Sequence, residues 1–252
     1  MNLVLLDAGE VDASGNATLS DARAAHLLNV LNVRPGRSVR IGLIDGPYGT
    51  GTVTSTSERA LTMRCVFDTE RPPRPQVDLL LALPRPKVMR RLWAQLAALG
   101  VGRIMLTNAE RVERCYFDTH VLDAAEYRPL LIEGLQQARD TCLPLVSIHR
   151  QFKILVEDHL DTLFACGVRV VADPSASTPL DRVVQARETP RVLVAIGPEG
   201  GWNPFERELL QTHGFDAVGM GPRTLRSDTA CVALLTLAHR AMALAPGVET
   251  NR

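Results

Sequence analysis

Two glycine-bearing segments near the C-terminus carry the residue types most able to bind and act on a ligand. The first is Ile196-Gly197-Pro198-Glu199-Gly200-Gly201-Trp202, which follows the apolar run Val192 to Ala195. The second is Met220-Gly221-Pro222-Arg223-Thr224-Leu225-Arg226-Ser227-Asp228-Thr229-Ala230, which follows Phe215 to Gly219. Glycine at a strand exit permits a positive φ and lets a ligand come close to backbone amides. Neither segment is a Walker A loop or a G-x-G-x-x-G fingerprint, so nucleoside triphosphates and NAD are poor ligands to propose. A tight turn needs no carboxylate between proline and glycine, which sets Glu199 apart. Ser227 or Asp228 is placed to cap the next helix. Arg223 and Arg226 are harder to explain structurally, because cations at a helix N-terminus are unfavourable unless an anion lies nearby.

Both segments need strand-loop-helix units to hold them. From Val77 onward, strand candidates (Val77 to Leu83, Arg103 to Thr107, Val168 to Ala172, Val192 to Ile196, Phe215 to Met220) alternate with helix candidates. The helices are Pro86 to Leu99, Ala124 to Ala138, Pro204 to Gln211 and Ser227 to Leu244. Such alternation predicts an α/β fold on a parallel sheet covered on both faces. The last helix is apolar on every side over Ala230 to Ala238, which predicts burial in the sheet packing or against a second copy.

The first 70 residues read differently, as a small, mostly β unit punctuated by Pro35-Gly36 and Asp45-Gly46-Pro47. Within it Ser20 is a plausible cap for a helix from Asp21 to about Leu31, with Ala25, Leu28 and Leu31 or Val30 on its apolar side. The stretch Glu70-Arg71-Pro72-Pro73-Arg74-Pro75 reads as the linker, since clustered prolines continue neither helix nor central strand.

Composition narrows the class. Twenty-eight basic and 28 acidic residues balance, which argues against a strongly basic, non-specific nucleic-acid binder but not against a local basic face. No apolar run approaches the ~20 residues of a membrane span. The N-terminal residues lack a basic flank and a long apolar core, so no signal peptide is expected and a cytoplasmic location follows. The five cysteines are scattered, without C-x-x-C spacing, and read as reduced thiols; no metal site is expected.

Read together, Ile196-Gly197-Pro198-Glu199-Gly200-Gly201 and Gly221-x-Arg223-x-Leu225-Arg226-x-Asp228-Thr229-Ala230 resemble the signature of the RsmE family. These are 16S ribosomal RNA methyltransferases acting on N3 of a uridine. His26-x-x-x-Val30-Leu31 followed by Pro35-Gly36, Leu99-Gly100-Val101, Glu110-Arg111, Gln136 and Arg139 are similar to the family as well. The resemblance implies a PUA-like RNA-binding β domain over 1–70 and a SPOUT methyltransferase domain over 76–246, with a C-terminal knot. It implies a homodimer with no membrane and no metal, acting on ribosomal RNA in an assembled small subunit. S-adenosylmethionine would lie against Ala172, Asp173 and Pro174, against 196–202, and against Met220, Gly221, Pro222, Leu225, Thr229 and Ala230. The last helix would pass through the knot into the dimer interface.

The chain departs from the family pattern at Asn29 or Asn32, Gln95, Ala98 and Leu135, where charged residues are usual. Asp228-Thr229-Ala230 stands where the family usually has glutamate. The cofactor loops are intact, while several charges that would face RNA differ.

Transfer to N3 of uridine needs an in-line approach to the donor and removal of an imide proton. Glu199 and Asp228 are the carboxylates for base or orienting roles, with Arg226 beside them. Arg111, Arg139, Arg223 and Arg226 could meet RNA phosphate or uracil oxygens, since guanidinium pairs bidentately with such groups. Arg23 and Arg34, with Arg37 and Arg40, could form a basic edge on the first domain. Trp202 could stack on a base, or belong to the core. The competing readings are a methyltransferase of the same fold acting on a different RNA nucleotide, and a non-catalytic RNA-binding or assembly factor.

Overall fold

The structure, a computed structural model, describes residues 2–187, 191–221 and 223–244. Pro222 and the last two residues of the expected second domain, 245–246, lie outside the described residues.

The chain divides into two compact units, one reaching Arg74 and including 132–143, the other made of 75–131 and 144 onward. The division falls at the end of the proline-rich stretch. The segment 132–143 differs from the sequence expectation, which gave it to the second domain.

In the first unit β1 (Val4–Leu6), β2 (Asn16–Leu19), β3 (Ser38–Leu43), β4 (Tyr48–Thr56) and β5 (Leu61–Phe67) form a five-stranded sheet in the order β1-β3-β4-β5-β2. Only β1 and β3 pair in parallel; the other pairs are antiparallel. Strand β5 shows the alternation that one covered face demands, with Leu61, Met63 and Cys65 buried and Arg64 and Val66 exposed. Helix α1 (Ala22–Asn29) adds Ala24 and Leu27 to that core. Asp21, rather than Ser20, is the cap: its carboxylate accepts the Arg23 amide at 2.9 Å. The helix is two turns long and buries 24 and 27, so the apolar face sits one residue off the expected register. Val30 and Leu31 lie past its end and are exposed, with Asn32 turning the chain at φ 49°.

The second unit holds β6 (Val77–Ala82), α2 (Pro86–Ala98), β7 (Val101–Thr107), most of α3 (Ala124–Ala138) and β8 (Leu145–His149). Next comes a helical run made of α4 (Phe152–Ile154), a π segment (Leu155–His159) and α5 (Leu160–Leu163). It ends with β9 (Val168–Ala172), α6 (Leu180–Gln185), β10 (Val192–Ile196), α7 (Pro204–Thr212), β11 (Phe215–Val218) and α8 (Ser227–Ala243). The six strands are all parallel, in the order β11-β9-β10-β6-β7-β8. Every residue of β6 and β10 is buried, the pattern of central strands covered on both faces.

The strand order fixes where a site can form. The chain winds outward through β6, β7 and β8, then crosses to β9 and returns to fill the slot between β9 and β6 with β10. At such a reversal the carboxyl ends of neighbouring strands open a crevice, the usual ligand position in a parallel α/β sheet. The two glycine segments leave from β10 and β11, next to β9.

Helix α8 is amphipathic in its burial, although its sequence is apolar all round. Cys231, Leu234, Leu235, Ala238 and Ala241 are fully buried, and burial pushes the Cys231 thiol up to about 12. Val232 and Leu237 are 40% and 41% exposed on the other side. Among the described residues no helix is long and apolar enough to cross a membrane.

Candidate active site

The loop after β10 is built around one turn and one ring. The Gly201 amide donates to the Pro198 carbonyl at 2.8 Å, with Gly201 at φ 71°, a conformation that favours glycine. Trp202 turns inward, is 6% exposed, and stacks on Phe152 with ring centroids 5.1 Å apart. A Cβ at Gly197 would lie 3.1 Å from the Trp202 ring, so the glycine makes room for the tryptophan. Trp202 is therefore part of the packing and is not free to stack on an RNA base. Its indole Nε1 is buried without a hydrogen-bond partner among the described residues.

Helix α7 then starts with a reciprocal cap. The Asn203 side chain accepts from the Glu206 amide, and the Glu206 carboxylate accepts from the Asn203 amide, each at 2.8 Å. The other Glu206 oxygen accepts from the Glu110 amide at 2.7 Å, which explains how a glutamate can be 3% exposed.

The exits of β9 and β11 are tied together. The Asp173 amide donates to the Val218 carbonyl at 2.9 Å, and the Gly219 amide to the Thr178 carbonyl at 3.0 Å. A Cβ at Gly219 would lie 2.0 Å from the Ala176 carbonyl oxygen, so only glycine fits there. Burial alone would raise the Asp173 carboxyl. The Ser175 hydroxyl and amide, at 2.7 and 2.8 Å, and Arg207 at 3.4 Å outweigh it and hold the group below its usual range.

These three exits enclose a cavity of about 440 Å³. Ala172, Asp173 and Pro174 line it, as do all seven residues from Ile196 to Trp202. From the second segment come Met220, Gly221, Arg223, Thr224, Leu225, Ser227 and Ala230. Of the residues expected around a cofactor, Thr229 is exposed and not in the lining, and Pro222 is outside the described residues. Sequence reasoning missed seven lining residues, Pro204, Arg207, Val218, Gly219, Thr224, Ser227 and Leu234. Gly219 had a local signal, a second glycine two residues before Gly221; Arg207 and Leu234 had none.

The candidate catalytic residues separate. Glu199 lines the cavity, and its Oε2 lies 3.6 Å from Arg85. Asp228 does not line it: Oδ2 lies 3.2 Å from Arg91 Nη2, and Oδ1 accepts the Thr229 amide at 2.9 Å. Arg226 is exposed, lies outside the lining, and occupies the cap position of α8 without a side-chain bond. Neither Ser227 nor Asp228 is the cap. Ser227 is buried, with its hydroxyl 3.5 Å from the Gly197 carbonyl. Asp228 sits in the first turn, where its charge offsets the helix end.

The arginines divide likewise. Arg111 and Arg223 line the cavity. Arg111 donates to the Gly200 carbonyl, which makes it a clamp on the glycine loop. Arg34 and Arg139 are exposed in the first unit, Arg139 at φ 61°. Arg23 is a correction. Its guanidinium pairs with Glu10 and Asp21 and donates to the Leu5 carbonyl at 2.6 Å, so it braces the first unit instead of presenting charge to RNA. Hydrogen bonding to Glu10 raises its pKa further, against burial.

Residues 70–239 match the RNA methyltransferase domain family. The chain is 32% identical over 248 residues to the ribosomal RNA small subunit methyltransferase E of Treponema pallidum, covering 95% of this chain and 92% of that one. It is 24% identical over 234 residues to the methyltransferase E 1 of Borreliella burgdorferi, covering 92% and 95%. Its fold is that of the Neisseria gonorrhoeae ribosomal RNA small subunit methyltransferase E, solved bound to S-adenosyl methionine (TM-score 0.74, 22% identity, 95% and 97% coverage). The match over the sheet unit and both glycine loops, together with near-full-length similarity to the Treponema protein, places the chain in the ribosomal RNA small subunit methyltransferase E (RsmE) family of RNA methyltransferases.

Proposed function

We propose that the protein transfers a methyl group from S-adenosylmethionine to N3 of a uridine in 16S ribosomal RNA. The observation that carries this reading is the cavity at the ends of β9, β10 and β11. Its walls are the two glycine loops, its volume suits a nucleoside-sized ligand, and Gly197 and Gly219 leave backbone where a side chain would intrude. The orphaned Trp202 Nε1 is an unused buried donor beside Gly197. These features fit the cofactor.

When bound, S-adenosylmethionine supplies a methyl carbon on a sulfonium, open to attack by nitrogen. The protein's part is to orient the uridine and take up the N3 proton. Two carboxylates line the cavity; Asp173 is held by Ser175 and Arg207, so Glu199 is the one that accepts that proton or fixes the imide. Arg223, exposed at the rim, stabilises charge on the uracil oxygens. Arg111 holds the Gly200 carbonyl and thereby the loop. Asp228 acts at one remove, through Arg91.

The same reading includes a SPOUT knot, a PUA-like first domain that meets RNA through Arg34 and its neighbours, and a cytoplasmic homodimer built on the exposed side of α8. Val232 and Leu237 are the apolar residues that such an interface would cover. Nucleoside mass spectrometry of 16S RNA from a strain lacking the gene is the test. Loss of N3-methyluridine, restored by the wild-type gene but not by Glu199→Gln, is expected. An unchanged N3-methyluridine level with loss of another methylated nucleoside would move the assignment to a different RNA position.

A further inference from the structure

A second cavity, of about 300 Å³, lies behind the first and has no part in the reaction described above. The stacked Phe152 and Trp202 rings form the wall between them: Trp202 lines the first cavity and Phe152 the second. The chain alternates across this wall. Arg111 and Pro204 face the first cavity; Glu110, Asn203 and Phe205 face the second.

Its chemistry is selective. Phe205, in the first turn of α7, is 55% exposed and offers a free aromatic face. Asn108 brings a buried Oδ1 with no hydrogen-bond partner among the described residues. Whichever way the amide is placed, one polar end is left for a ligand. Arg114 is exposed and makes no ion pair among the described residues; Lys153 has only a 3.8 Å contact with Glu157. Two carboxylates belong to the same lining. Glu206 is saturated by backbone amides, and Glu110 is exposed. Their charge disfavours a phosphate inside the cavity, whereas a neutral base with a flat face and a hydrogen-bonding edge meets no such opposition.

We infer that this cavity is a subsite for an unpaired base of the RNA substrate next to the methylated nucleotide. The base stacks on Phe205 and presents its edge to Asn108, while the adjoining phosphates lie on Arg114 and Lys153. The inference rests on the RNA methyltransferase reading. Aromatic stacking with cations at its border is how proteins hold single-stranded RNA without strict sequence choice. It would also help turn the target uridine out of its stack, because its neighbour is held in an opened strand.

The test uses the full-length protein and small ribosomal subunits purified from the deletion strain. Phe205→Ala is expected to weaken subunit binding about 10- to 100-fold, the range for losing one stacked base. Phe205→Tyr should restore it, and calorimetric affinity for S-adenosylmethionine and sedimentation should stay at wild-type values. Photo-crosslinking to subunits carrying 4-thiouridine should mark the peptide containing Phe205. Wild-type subunit affinity in Phe205→Ala would overturn the subsite, and so would a change of oligomeric state, which would show that Phe205 is covered by a second copy. Failure of the wild-type chain to methylate any subunit RNA would instead overturn the functional reading, and is scored separately from Phe205.

Discussion

Arg91 Nη2 stands 3.2 Å from Asp228 Oδ2, joining α2 to the first turn of α8. A parallel pair, Arg85 with Glu199 at 3.6 Å, lies between the start of α2 and the first glycine loop. Each carboxylate singled out by its position in a motif therefore has a guanidinium from α2 or from Arg85, the residue that caps it. Both pairs are solvent-exposed on the arginine side, so their worth to stability is small, about 0–1 kcal/mol. Their value is in positioning.

The two pairs predict different kinetics. Glu199→Gln removes the cavity-lining carboxylate that Ser175 and Arg207 do not hold, and kcat should fall by about 10²- to 10⁴-fold, the range for losing a general base. Asp228→Asn leaves the cavity lining untouched and should lower kcat less than about 10-fold. Single-turnover methylation by the two variants distinguishes them; a larger loss in Asp228→Asn than in Glu199→Gln would exchange their roles.

Gly219 and Gly201 predict opposite outcomes from the same substitution. At Gly219 an added Cβ meets the Ala176 carbonyl at 2.0 Å, so Gly219→Ala must push the β9 exit loop and distort the cavity. Calorimetric binding of S-adenosylmethionine should be lost or weakened at least 10-fold. At Gly201 none of the described residues lies within 4 Å of the added carbon, but the residue sits at φ 71°. Gly201→Ala should cost about 1–2 kcal/mol of stability from left-handed strain, with cofactor affinity nearly kept. Equal loss of affinity in both would show that the loop's conformation, and not the room at Gly219, decides binding.

The glycine loops were legible because their chemistry is local: Gly197 to Trp202 and Met220 to Ala230 are continuous in sequence, and ten of the expected residues among them line the cavity, besides Glu199. The parallel sheet was legible for the same reason, through apolar strands alternating with helices. Edge and partner information was not. Strand β8 is half-exposed, so Leu145 to His149 lacks the apolar run that marks β6 or β10. Arg23 read as a surface cation because nothing in sequence announces Glu10, thirteen residues earlier, as its partner. The Arg91–Asp228 pair spans 137 residues and depends wholly on the fold. Helix α8 shows the converse: its apolar residues predicted burial, and only one side of it is buried within this chain.

Arg23 and Arg34 should separate stability from RNA binding. Arg23 joins Glu10, Asp21 and the Leu5 carbonyl, and its removal leaves two carboxylates without their partner. Arg23→Ala should destabilise the first unit by about 1–3 kcal/mol, the range for losing charge-assisted hydrogen bonds. Arg34 is exposed, and Arg34→Ala should leave unfolding unchanged while weakening subunit binding and reducing its salt dependence by about one counterion. Urea unfolding paired with binding at several salt concentrations reads both. A stable Arg23→Ala protein with impaired binding would return Arg23 to the RNA face.

His149 predicts the acid side of the stability curve. Burial, and then the charge of His159 with its ring centroid 6.0 Å away, holds the His149 imidazole below its ordinary 6.5. The folded state thus prefers the neutral ring, whose Nε2 lies 3.0 Å from the Ser147 hydroxyl. As pH falls below 6.5 the unfolded chain takes up a proton that the folded chain resists, so the unfolded state gains. Stability is full above that pH, declines below it, and levels off once pH has passed the depressed folded value. Melting temperature followed between pH 7.5 and 5 should fall more steeply in the wild type than in His149→Gln, which cannot titrate there. The difference should be confined to the interval below 6.5; parallel curves would show that His149 is as readily protonated in the folded chain as in the unfolded one.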